Sequence, residues 1–193
     1  MDRRKVSAFC DLFRCKASGY LPAMPDTIVI RPATTNDAAV IAEFNAAMAL
    51  ETEHKRLDPA ILRAGVERAI ALGDAARYFL ADIDARVVGQ LMITFEWSDW
   101  RNGMFWWIQS VYVHPEFRSR GIFKQLYRHV ESLAKEADAC GIRLYVERQN
   151  SAAQEVYKRL GMGDAGYAVF EMDWSKEKAE YRSPKPEPMI NHE

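Results

Sequence analysis

Residues 86–97 and 104–113 are two long β-rich runs that meet at Asn102-Gly103, the dipeptide that most favours a tight hairpin turn. A third run, 77–82, precedes them across the polar turn 83–85, so three consecutive antiparallel strands are expected. A sheet this apolar needs helices over its faces, which limits the chain to a few layered architectures.

The flanking segments supply those helices. Residues 27–31 form a short β-branched run stopped by Pro32. Thr35 then offers a cap to a helix whose Val40, Ile41, Phe44, Ala47 and Met48 recur at helical spacing through Leu50. After the polar stretch 51–57, Asp58 and Pro59 are the cap and first-turn proline of a second helix ending at Gly73. Further on, Ile122, Leu126, Val130, Leu133 and Ala137 line one face of a long helix over 121–139, with Gly141 as the stop. Residues 142–147 read as a strand. Ser151 and Gln154 make a capping box for a helix carrying Ala153, Val156, Tyr157 and Leu160, and 167–174 read as a last strand. The expected fold class is α/β: a mixed, mostly antiparallel central sheet flanked by helices, in the order β-α-α-β-β-β-α-β-α-β. One domain spans 27–174, between an irregular arm, 1–26, and a charged tail, 175–193, that contains Pro184, Pro186 and Pro188.

Charge and cysteine content narrow the function. Lys+Arg 26 against Asp+Glu 27 leaves no global field to draw the protein onto nucleic acid or anionic lipid, so neither is expected as a partner. Arg118, Arg120, Lys124 and Arg128 cluster, but acids elsewhere balance their charge, which weighs against a nucleic-acid platform. Cys10, Cys15 and Cys140 fit neither a disulfide framework nor a zinc site, which suggests a reducing, cytoplasmic setting and no metal. No apolar run is long enough for a membrane helix.

The chemistry concentrates in Gln109-Ser-Val-Tyr-Val-His-Pro-Glu-Phe-Arg118-Ser-Arg120-Gly121-Ile-Phe-Lys124, which passes from a buried strand through a loop into a helix start. Free backbone N–H groups at a helix N-terminus, with arginines beside them, suit a pyrophosphate.

That stretch resembles motif A of the GNAT superfamily of N-acetyltransferases, where a strand ending in Val-x-Pro is followed by Gln/Arg-x-x-Gly-x-Gly/Ala; Arg118 and Gly121 occupy the first two marked positions. Asn150, Ala153, Tyr157, Gly161 and Met162 are similar in spacing to its motif B. Phe123 departs from the pattern, standing where glycine or alanine is usual, and would crowd a phosphate if it pointed inward. The resemblance implies that acetyl-CoA is the acyl donor. The strand 109–113 would splay from 142–147, Val111, Tyr112 and Val113 would meet the pantetheine arm, and Arg118, Ser119, Arg120, Gly121, Ile122, Phe123 and Lys124 would cradle the pyrophosphate. Asn150 would hydrogen-bond the arm or cap its helix.

The implied reaction is direct attack of an amine on the thioester. It needs an oxyanion donor, here a backbone N–H near Val111, and an acid for the leaving thiolate, a role the resemblance gives to Tyr157. It also needs a base, with Glu96, Glu51, Glu53, His54 and Glu147 as candidates and Glu96 preferred for its place on a strand near the acceptor cleft. Trp97 and Trp100 could wall that cleft. The partners implied are acetyl-CoA and a primary amine of a small molecule, peptide or protein, with a homodimer left open. The alternative is a non-catalytic acyl-CoA sensor or scaffold, which Phe123 favours and Tyr157 opposes.

Overall fold

A computed structural model of the protein describes residues 27–146, 148 and 150–174. The described residues fall into two compact units, divided between Tyr145 and Val146. In the first, five strands make one sheet in the order β1-β2-β3-β4-β5: β1 (Val29–Pro32), β2 (Ala76–Ile83), β3 (Arg86–Ser98), β4 (Gly103–Val113) and β5 (Gly141–Leu144). The first four are antiparallel neighbours; β5 runs parallel to β4. The sheet is therefore mixed and mostly antiparallel, as the patterning predicts.

Helices cover both faces. α1 (Ala38–Glu53) and α2 (Pro59–Leu72) pack on one, where Ile41, Val66, Ala69, Tyr78 and Leu80 form a buried cluster. Thr34 rather than Thr35 precedes the short turn that leads into α1, and α1 runs on to Glu53. Asp58 caps α2 as expected, its Oδ1 accepting from the amides of Ala60 (2.8 Å) and Ile61 (3.1 Å). On the other face lies α3 (Ile122–Glu136), which buries Ile122, Leu126 and Val130 at i, i+4, i+8. Each such side chain contributes about 1.5–3 kcal/mol of transfer free energy. Gly89 lets α3 approach, since a Cβ there would lie 3.0 Å from Ile122 Cγ2 and 3.3 Å from the Tyr112 carbonyl oxygen.

Two turns differ from expectation. The hairpin between β3 and β4 does not turn on Asn102-Gly103 alone: Asp99–Arg101 coil into a short helical turn and only Asn102 is left-handed (φ 48°). That turn already reverses the chain, so the second positive φ of a two-residue loop is not needed. β4 also carries a bulge. Met92 pairs with Ser110 but Ile93 with Ile108, so Gln109 is the extra residue. Val113 lies beside Gly89 on the α3 face and Tyr112 reaches α1, whereas before the bulge Trp106 meets Phe95 and Trp107 meets Glu96.

The second body holds α4 (Ser151–Arg159). Its cap is Asn150, whose Oδ1 accepts from the Ala153 amide at 3.0 Å; Ser151 is the first helical residue. Residues 167–174, expected as a strand, make no strand pairing. Tyr167, Val169, Phe170, Met172 and Trp174 are exposed. Alternation there marks which side chains could share a face, but a strand forms only where its backbone finds a ladder partner. The arm, the tail, Cys10, Cys15 and the candidate base Glu147 lie outside the described residues.

Candidate functional site

The pairing of β4 with β5 stops where the two strands were expected to part. β4 pairs with β5 only from Phe105↔Gly141 to Ile108↔Leu144. Residues 109–113 have no strand partner on that side among the described residues. The bulge at Gln109 sits where that pairing ends. The amide of His114 donates to the carbonyl of Val88 on β3 (2.9 Å). By the two-residue period of a strand, the backbone of Tyr112 also turns to β3, while that of Val111 and Val113 turns to the open edge. Of the three residues expected to meet an extended arm, two present their main chain to it. Tyr112 instead sends a buried ring toward α1.

The open edge leads into the N-terminus of α3. Ser119 (φ 64°) and Gly121 (φ 79°) are both left-handed, and no side chain caps the helix. The first turn of any helix leaves N–H groups without an intrahelical partner, which is the basis of an anion site. A Cβ on Gly121 would meet nothing within 4 Å, so its left-handed backbone is the reason for glycine. Ile122 is buried against the sheet, and the half-buried Phe123 leans along the helix with its ring 6.2 Å from that of Tyr127. The departure at Phe123 thus places a ring beside Tyr127.

The two arginines are held by their own loop. Arg118 donates through Nε to the Val113 carbonyl (2.9 Å) and through Nη2 to Glu51 (2.6 Å), with its guanidinium 5.4 Å from the centroid of the Tyr112 ring. Tyr112 donates to the other Glu51 oxygen at 2.9 Å. Burial alone would raise the Glu51 carboxyl, but the bonds from Arg118 and Tyr112 outweigh it and hold the carboxyl below its ordinary value. Burial raises the Tyr112 phenol, and Glu51 raises it further. Glu51, one of the candidate bases, braces the motif arginine. Arg120 donates to the Glu116 carbonyl at 3.1 Å and covers Phe117.

Glu96 lies on β3 beside the stretch where β4 is still paired with β5. It pairs with Phe105, five positions along β3 from Leu91, the partner of Val111, or ~17 Å at about 3.3 Å per residue. Both carboxylate oxygens hold donors: Arg143 Nη1 on Oε1 (2.6 Å) and Trp107 Nε1 on Oε2 (2.5 Å). Both oxygens of the candidate base are thus already engaged by side-chain donors. Its partner Arg143 escaped notice in the sequence, where the only signal is a lone cation between Ile142 and Leu144 on a short strand.

In the second body, Tyr157 is a half-buried residue of α4, and burial raises its phenol above the ordinary 10. It is therefore protonated at neutral pH. Asn150 uses its carbonyl oxygen as the helix cap, which leaves its amide hydrogens available as donors. Among the described residues no group of three or more His, Cys, Asp or Glu side chains could hold a metal ion, and no helix is long and apolar enough to cross a membrane.

Residues 41–162 match the acetyltransferase (GNAT) family, which is more than half of the 193-residue chain, and the protein belongs to that family. It is 33% identical over 78 residues to thialysine N-epsilon-acetyltransferase of Bos taurus, a match covering 40% of this chain and 45% of that protein. The chain spans about half the length of the curated relatives it matches. Among solved structures, a possible acetyltransferase from Clostridium difficile 630 superposes with a TM-score of 0.72 and 41% identity, covering 76% of this chain and 97% of that one. Aminoglycoside N-acetyltransferase AAC(6')-Iy in complex with CoA has a TM-score of 0.63 at 18% identity, covering 80% and 99%, which is a likeness of fold.

Proposed function

We propose that the chain is an N-acetyltransferase that moves an acetyl group from acetyl-CoA to a primary amine by direct attack. The observation that carries this reading is the continuous path from the unpaired β4 edge at Val111 and Val113 to the uncapped start of α3 at Gly121. An extended pantetheine adds to such an edge through main-chain hydrogen bonds, and a pyrophosphate meets free N–H groups at the helix start. Family membership and the names of the similar proteins support acetyl transfer to nitrogen.

In this reading the Val111 N–H meets the oxyanion. Tyr157, protonated at neutral pH, is the residue to which the family motif gives the proton for the departing thiolate. Arg118 exchanges its hold on Val113 and Glu51 for the cofactor. Because both Glu96 oxygens already hold donors, water removes the ammonium proton in this reading. The setting is the cytoplasm, where acetyl-CoA is made available and Cys140, a free half-buried thiol, stays reduced.

The test is a thermal-shift titration with acetyl-CoA, followed by CoA-thiol release across a panel of amines. Ligand at 100 times its Kd adds about 2.7 kcal/mol of stability, so a clear rise in Tm is expected. No shift at millimolar acetyl-CoA, with no thiol released by any amine, refutes the reading.

A further inference from the structure

Glu51 stands where a helix least favours an anion. It lies in the last turn of α1, at the negative end of the helix dipole, and that turn holds no basic residue. Its neighbour Glu53 is met by Lys55 at 2.5 Å. Glu51 is met by Arg118, 67 residues further on, and by no other cation among the described residues. A local rule broken in this way is expected where a residue serves something outside its own helix.

The guanidinium that meets it closes the donor site at two points. Nη2 is engaged by Glu51, and Nε by the Val113 carbonyl at 2.9 Å, one of the main-chain groups turned to the open edge. A donor that pairs with that edge and brings its diphosphate to the start of α3 needs both contacts to give way. The side chains of Arg118 and Glu51 are 46% and 39% exposed, so their bond opens to water at small cost. The carboxylate is held nearby when it does. Tyr112 donates to its other oxygen at 2.9 Å, and the buried Tyr112 ring packs on Phe44 of α1 with centroids 5.1 Å apart. Glu51 thus stays within reach of the arginine it releases.

We propose that Glu51 is a built-in competitor of the donor for Arg118: it yields the arginine when acetyl-CoA binds and reclaims it to help expel CoA after transfer. This rests on the acetyl-transfer reading above. The state of the Glu51 carboxyl agrees, since burial would raise it and the bonds from Arg118 and Tyr112 hold it low. Acetyl-CoA and CoA carry the same diphosphate, so the competitor weakens both alike, and its use lies in turnover. Glu51 acts through Arg118 and touches no reacting atom, which makes it a positioning residue.

The experiment uses the full chain. Calorimetry at neutral pH should show Glu51→Gln binding acetyl-CoA and CoA each about threefold to fivefold more tightly than wild type, the worth of a half-exposed ion pair. Stopped-flow displacement should show CoA leaving the variant more slowly by about the same factor. In an Arg118→Gln background the same substitution should leave both affinities unchanged, because the arginine in dispute is gone. Glu51→Ala, a good helix former, takes the place of Glu51→Gln should the latter not fold, with the same outcome expected. Unchanged or weaker affinity in a folded variant, or equal tightening in the Arg118→Gln background, overturns the competitor while acetyl transfer stands. Failure of both variants to fold overturns it too, leaving Glu51 a structural brace alone. Wild type with neither an acetyl-CoA thermal shift nor any turnover overturns the function beneath it.

Discussion

Replacing Asp37 by Asn tests how α1 is fastened to the sheet. Asp37 Oδ1 accepts from Arg31 Nη2 at 2.8 Å, and Oδ2 accepts from Arg31 Nη1 (2.9 Å), the Thr34 amide (2.7 Å) and the Thr34 hydroxyl (2.8 Å). Arg31 also donates to Asp82 on β2 at 2.6 Å, so the guanidinium ties β1, β2 and the start of α1 together. The aspartate side chain is 11% exposed, and the Arg31 bonds pull its pKa from 3.8 to about 2 despite burial. At about 1.4 kcal/mol per pKa unit, that difference is worth about 2 kcal/mol. The folded value lies below the ordinary one. The contribution is therefore fully present above about pH 4 and is lost as pH falls through about 2. An Asn at this position keeps an acceptor for Thr34 but turns an amide donor toward Arg31. Urea unfolding should show the variant about 2 kcal/mol less stable than wild type at pH 7, with the gap narrowing between pH 4 and pH 2. A gap below about 0.5 kcal/mol at pH 7, or one independent of pH, refutes the assignment.

Three further outcomes bear on the site. Gly121→Val forces a β-branched residue into φ 79° and should weaken acetyl-CoA binding at least tenfold, about 1.4 kcal/mol, by calorimetry; unchanged affinity in a folded variant would remove the helix start from the phosphate site. Tyr157→Phe should lower kcat by ~100-fold or more with acetyl-CoA affinity little altered, whereas a core tyrosine would leave turnover in step with stability. Gly89→Val should push α3 from the sheet at Ile122, costing about 1–3 kcal/mol by denaturation and weakening acetyl-CoA binding with it; a wild-type Tm would show that the contact yields.

Features set by neighbouring residues were legible in the sequence. Asp58-Pro59 announced α2, the apolar spacing from Ile122 to Val130 announced α3, and Gly121 marked the start of that helix. What escaped depended on partners far along the chain or on competition between local options. The Arg143–Glu96 pair joins strands 47 residues apart, and no spacing rule reaches that far. Asn150 and Ser151 are both good caps, and the choice between them is made by backbone angles, with Asn150 at φ −80°, ψ 69° outside the helix. The alternation over 167–174 promised a strand, but pairing needs a second backbone that local sequence does not specify. Arg118 was legible as a cation beside a phosphate site, whereas its brace, Glu51, sits 67 residues earlier.

The extra residue at Gln109 also sets what β4 can tolerate. Ahead of it the side chains facing α3 have even numbers, Trp106 and Ile108; after it they have odd numbers, Val111 and Val113. Deleting Gln109 would restore unbroken alternation and rotate one half of the strand by half a turn, bringing Tyr112 to the α3 side and Val111 to the α1 side. The segment between the hairpin and Pro115 therefore has a length fixed to the single residue, and point substitutions there are far safer than any insertion or deletion.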